Sequence, residues 1–78
     1  MSYFSASISR RNRKWCLHLV EEDEDLLNNF FLFDRIITWV DDTLLYRKDV
    51  SRMSYDMWYF DNKTDAEKFL VILTLKWL

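Results

Sequence analysis

A chain of 78 residues, half of them apolar and with a net charge of −2, suffices for one small domain, residues 1–78. Such a chain buries only about 60 to 65% of the surface its unfolded form exposes. One cysteine excludes an intramolecular disulfide framework and a cysteine-based zinc site, and the absence of glycine excludes glycine-rich phosphate loops and dinucleotide fingerprints.

Large aromatics compensate for the small core, with four Trp, four Tyr and six Phe giving the most buried area per residue available without disulfides. The lone Cys16 fits a reducing compartment, no signal-peptide pattern opens the chain, and no apolar run approaches the roughly 20 residues of a membrane span. The expectation is a soluble protein of the cytoplasm with no membrane contact. Charge is segregated: residues 1–20 carry four basic and no acidic side chains, 21–45 eight acidic and one basic, and 46–78 six basic and five acidic. Such polarity hints at a charged partner or at head-to-tail self-association.

In chain order, Ser2–Ser9 alternates loosely, with Ala6 and Ile8 on one face, and is expected to form a strand. Arg10-Arg11-Asn12-Arg13 reads as a polar connection. Lys14–Val20 reads as a second strand with Trp15, Leu17 and Leu19 on one face and Cys16 and His18 on the other. The resulting hairpin has a basic tip. The run Glu21, Glu22, Asp23, Glu24, Asp25 suits the positive end of a helix dipole, and apolar residues from Leu26 to Val40 recur every three or four positions. The main helix is therefore expected from about 23 to 44, unless Asn28-Asn29 breaks it into a short turn and a later helix starting near Asp34.

Periodicity then disappears. Residues 45–56 read as a surface loop with solvated cations Arg47, Lys48 and Arg52, and with a short strand at Leu44-Leu45-Tyr46 as an option. Met57-Trp58-Tyr59-Phe60 is an aromatic strand whose Trp58 and Phe60 side should face the helices or a partner. Asp61-Asn62-Lys63 supplies turn chemistry. Thr64 to Glu67 spell a T-x-x-E capping box, and Ala66, Phe69, Leu70, Leu73 and Trp77 form one stripe of a last helix. Val71, Ile72, Leu75 and Leu78 fall off that stripe, so the helix must be wrapped by the other helix or packed on a second chain. In a competing parse, residues 73–77 form a closing strand, because apolar and polar residues alternate there. The predicted class is α+β: a small antiparallel sheet, made of an N-terminal hairpin plus one aromatic strand, packed against two helices in the order ββαβα.

Each candidate site has an ordinary structural explanation beside it. Cys16 and His18 share a strand face, as a nucleophile and its base would, but neighbours on one strand rarely meet in the required geometry, and buried cysteine ordinarily just packs. The acidic set Glu21, Glu22, Asp23, Glu24, Asp25, Asp34, Asp41 and Asp42 is a solvated helix face, a surface for a basic partner, or a cation site lacking the glycine and spacing of an EF-hand. Arg10, Arg11, Arg13 and Lys14 beside Trp15 are an ordinary solvated turn, or phosphate contacts with a stacking aromatic; the acidic overall balance weighs against nucleic acid. Asp61 and Asp65 are explained by the helix cap rather than by paired-carboxylate catalysis. No metal or cofactor is implied.

The strand Trp58-Tyr59-Phe60, the pair Asp65-Ala66, Phe69 and Leu75-Lys76-Trp77, with Ile37-Thr38-Trp39 before them, resemble a pattern of small uncharacterised tailed-phage accessory proteins. The similarity covers roughly the second half of the chain, which departs from the pattern in lacking glycines near the middle helix. The resemblance implies a fold, a viral origin and action by binding a host or phage protein, including host-defence components; it carries no catalytic residues. The expectation is thus a non-enzymatic protein-binding accessory protein, an inhibitor of a host defence protein, with homodimerisation through the C-terminal helix. The alternatives are a nucleic-acid-binding module using the hairpin tip, and a small enzyme with a polar pocket around Cys16 or His18.

Overall fold

The computed structural model describes residues 4–22 and 26–77. Strand β1 (Phe4–Arg11) turns into β2 (Lys14–Glu21), followed by helix α1 (Leu26–Leu44), strands β3 (Val50–Ser54) and β4 (Met57–Phe60), and helix α2 (Lys63–Trp77). The class is α+β, as expected, but the order is ββαββα. The four strands form one antiparallel sheet in the order β1-β2-β4-β3.

The first hairpin is tighter than its arginines suggest. Only Asn12 and Arg13 lie outside the strands, both with positive φ (51° and 64°), and Arg11 pairs with Lys14 across them. Two left-handed central residues define a type I′ turn, whose twist matches that of the flanking strands. Arg10 and Arg11 therefore belong to β1 rather than to the connection.

Strand β3 corrects the reading of residues 45–56 as a loop. It pairs with β4 as an edge strand, Val50 facing Phe60 and Arg52 facing Trp58, with a register shift between Arg52 and Ser54. Leu44 is the last residue of α1, and Leu45-Tyr46 lie in a turn, not a strand. Asn28-Asn29 do not break α1, and residues 73–77 are helical.

Alternation places Phe4, Leu17, Leu19, Trp58 and Phe60 on the helix-facing side of the sheet, where they meet Phe33, Ile36, Ile37, Val40 and Leu44 of α1 and Ala66, Phe69 and Leu73 of α2. Both helices cover this face. They run antiparallel: Trp39 of α1 stacks on Phe69 (5.8 Å) and meets Trp77 edge-on (6.3 Å), while Arg47, beyond the end of α1, reaches Asp65 in the first turn of α2 (3.3 Å). The expected stripe of α2 is the one buried.

The cap of α2 lies two residues before the predicted one. Asn62 Oδ1 accepts from the backbone N–H of Thr64 (2.7 Å) and Asp65 (3.4 Å), so Asn62, not Thr64, is the N-cap. Thr64 is already inside the first turn, and Glu67 faces Lys63 (3.6 Å) one turn back rather than returning to Thr64.

Candidate interaction surfaces

The predicted acidic face is dispersed. Asp23, Glu24 and Asp25 lie outside the described residues. Glu21 ends β2 opposite Phe4 instead of starting a helix, and one of its carboxylate oxygens is buried with no hydrogen-bond partner among the described residues. Glu22 is exposed after it.

Asp34 and Asp41 face the β3–β4 hairpin. The Tyr55 hydroxyl donates to Asp34 Oδ1 at 2.5 Å, which pushes the phenol up to about 12, because ionisation would cost that bond and set two anions together. Asp41 accepts from the Trp58 indole N–H (3.3 Å) and pairs with Arg52 (3.0 Å). Arg52 also donates to the carbonyls of Ser54 (3.1 Å) and Tyr55 (2.9 Å) and lies over Trp58 (5.4 Å). Of the acids on α1, Asp42 is the one that faces outward beside the groove described below.

Two cations expected to be solvated are thus engaged. Besides Arg52, Arg47 grips Asp49 through two donors (3.1 and 2.8 Å) and bridges to Asp65, linking the α1–β3 connection to α2. These bonds hold the Asp49 carboxyl below the usual carboxylate range.

The basic tip keeps Arg10, Arg11 and Arg13 exposed, and Lys14 pairs with Asp61 (3.2 Å). Trp15 is half-buried against the core, with the Arg10 guanidinium and the Lys63 ammonium each 5.1 Å from its ring. Its ring is occupied by the protein's own cations, which leaves little face for a base to stack upon.

Cys16 and His18 lie on the sheet face away from the helices. Cys16 is fully buried, and burial pushes its thiol up, opposite to the shift that makes a cysteine nucleophilic. His18 Nε2 lies 3.3 Å from Asp56, whose other carboxylate oxygen accepts from the Ser54 hydroxyl (3.1 Å). The carboxylate sits between serine and histidine, so the histidine is not placed to take the serine proton. Among the described residues no group of three His, Cys, Asp or Glu side chains gathers as a metal site. No described helix is long and apolar enough to cross a membrane.

Two surface features concern α2. A groove of about 440 Å³ opens between the helices, lined by Arg35, Thr38, Trp39, Asp42, Lys76 and Trp77. The Lys76 ammonium is 5.5 Å from both tryptophan rings, and the Trp77 indole nitrogen is buried with no hydrogen-bond partner among the described residues. Beside it, Val71, Ile72 and Leu75 are 57%, 53% and 80% exposed. The sequence flagged that ridge through the off-stripe residues. It marked Thr38-Trp39 and Lys76-Trp77 only as a pattern, with nothing to show that antiparallel helices bring them together.

Comparison with protein-family models, with curated proteins and with solved structures finds no match.

Proposed function

We propose that this chain is a non-enzymatic protein-binding module that engages its partner through the outer side of α2 and the adjoining tryptophan groove. The observation that carries the reading is the ridge of Val71, Ile72 and Leu75 beside a groove with two half-buried tryptophans and charges of both signs. Clustered apolar residues rimmed by polar ones mark interaction sites, and tryptophan and arginine, here Trp39, Trp77 and Arg35, are enriched at the energetic centre of protein interfaces. The resemblance to tailed-phage accessory proteins implies a partner among host or phage proteins, and inhibition of a defence component is the role proposed. Self-association through α2 would use the same ridge.

Affinity capture from a bacterial lysate, with nuclease treatment in parallel, tests this when the native chain is compared with a V71E/L75E variant. A nuclease-resistant protein held by the native chain and lost by the folded variant is the expected result. Retention by the variant, or recovery only of nucleic acid dependent on Arg10, Arg11 and Arg13, would overturn it in favour of the hairpin tip.

A further inference from the structure

The two edges of the sheet differ. Strand β3 is short, carries Arg52 and breaks register between Arg52 and Ser54, all devices that blunt an edge. Strand β1 has none of them along Phe4–Ser9: no charge, proline or bulge, and pairing with β2 in unbroken register. Among the described residues nothing pairs with its outer side.

The groups offered on that side follow from the hairpin. Leu19 N–H donates to Asp56 O on the β4 side of β2, so Trp15, Leu17 and Leu19 direct their backbone groups toward β4, and Cys16, His18 and Val20 direct theirs toward β1. Their partners Ser9, Ser7 and Ser5 are therefore satisfied within the hairpin, and the N–H and C=O of Phe4, Ala6, Ile8 and Arg10 point outward.

We propose that β1 pairs with β1 of a second copy, antiparallel and in register about Ser7, making one continuous sheet across a two-fold axis. In this register Phe4 meets Arg10 of the other copy and Ala6 meets Ile8, so every outward group finds a partner, and both helix layers stay on one side of the sheet. A one-residue slip in register leaves outward groups facing groups already bonded within the hairpin, while re-centring on Ala6 or Ile8 leaves Arg10 or Phe4, respectively, beyond the paired part of the other β1. The charges agree. Arg10 of one copy comes into the row of Phe4 and Glu21 on the other, about 10 Å from Glu21 between Cα atoms, a gap that arginine and glutamate side chains together can span. Glu21 is the residue whose buried carboxylate oxygen lacks a partner among the described residues. The two basic tips lie at opposite ends of the joined sheet, well beyond the roughly 10 Å over which exposed charges repel at ordinary salt; parallel pairing would bring them together.

The side chains of Ser5, Ser7 and Ser9 project on the sheet face away from the helices, where a cysteine scan reads the register directly. The Ser7 pair would stand about 4.5 Å apart between Cα atoms, within disulfide range. Under mild oxidation S7C should convert to a covalent dimer, S5C and S9C alone should not, and an equimolar mixture of S5C and S9C should cross-link. The scan is made in a C16A background, because Cys16 is the cross-strand partner of Ser9 and would lie within disulfide range of a cysteine there. In sedimentation the native chain should run as a dimer. Ala6→Pro, which deletes an outward N–H and no bond to β2, should run as a monomer with an unchanged circular-dichroism spectrum. V71E/L75E should remain dimeric, so failure of the α2 reading and failure of this one give different results. A native chain monomeric at high micromolar concentration, or a dimer that does not cross-link at Ser7, would overturn the proposal.

Discussion

Asp41 distinguishes a structural carboxylate from a partner-binding one, and its substitution has a size that follows from the contacts. Asp41→Ala removes the acceptor of the Trp58 indole N–H and the anion facing Arg52. Trp58 is 1% exposed, so water replaces the lost acceptor poorly. A buried donor left unsatisfied costs about 1–3 kcal/mol. The Arg52 pair is partly exposed, 37% and 32% on its two sides. It adds roughly 0.5 to 1 kcal/mol. The sum, about 1.5–4 kcal/mol and centred near 2.5 kcal/mol, is a large share of the roughly 4–12 kcal/mol expected for a domain of this size. It should lower Tm by about 10–20 °C. Asp41→Asn keeps an amide oxygen for Trp58 and loses only the charge, so it should cost less than about 1 kcal/mol. Thermal and urea unfolding followed by circular dichroism measure both. Equal losses in the two variants, or an alanine variant within about 2 °C of the native chain, would refute the assignment of Asp41 to the hairpin clamp.

Two further substitutions test local chemistry. Arg13 is the second left-handed residue of the β1–β2 turn, a conformation that costs a non-glycine residue about 1 kcal/mol or more, so Arg13→Gly should stabilise the fold by roughly 0.5–1 kcal/mol despite glycine's larger unfolded-state entropy; urea midpoints measure the gain, and a loss would mean that the Arg13 side chain contributes. Asn62→Ala removes the cap of α2 and should cost about 1 kcal/mol, whereas Thr64→Ala should stay within about 0.5 kcal/mol; the reverse ranking in the same assay would restore Thr64 as the cap.

The parts of the fold legible in the sequence are those where side-chain burial sets the pattern. Leu17 and Leu19 alternate because β2 is an inner strand with one face on the core, and Ala66, Phe69 and Leu73 recur at helical spacing because α2 lies on that face. Strand β3 was hidden for the opposite reason: Val50 is half-buried and its other residues are exposed, so backbone pairing rather than apolar burial holds it. Arg52 fills the position that an apolar residue would occupy in an inner strand, covering Trp58 with its guanidinium. Missing β3 also hid the destination of Asp34 and Asp41, since their partners Tyr55, Arg52 and Trp58 belong to the β3–β4 hairpin. Glu21 misled differently: a carboxylate just ahead of a helix reads as part of its first turn, yet pairing with Phe4 keeps it in the sheet.

With Asp34 and Asp41 bound to the hairpin, the charge segregation no longer marks α1 as a uniform negative face, and attention moves to α2. Single exposed apolar residues are ordinary on protein surfaces. Val71 and Leu75 are one turn apart, however, with Ile72 beside them, in a helix that already buries Ala66, Phe69 and Leu73 on its other side. The isolated fold gains little from these three side chains, since burial contributes in proportion to area removed from water and more than half of each remains in it. Charged replacements at Val71 and Leu75 should therefore leave monomer stability within about 0.5 kcal/mol. That near-neutrality is what makes the V71E/L75E variant informative, because a lost partner could not then be ascribed to a lost fold.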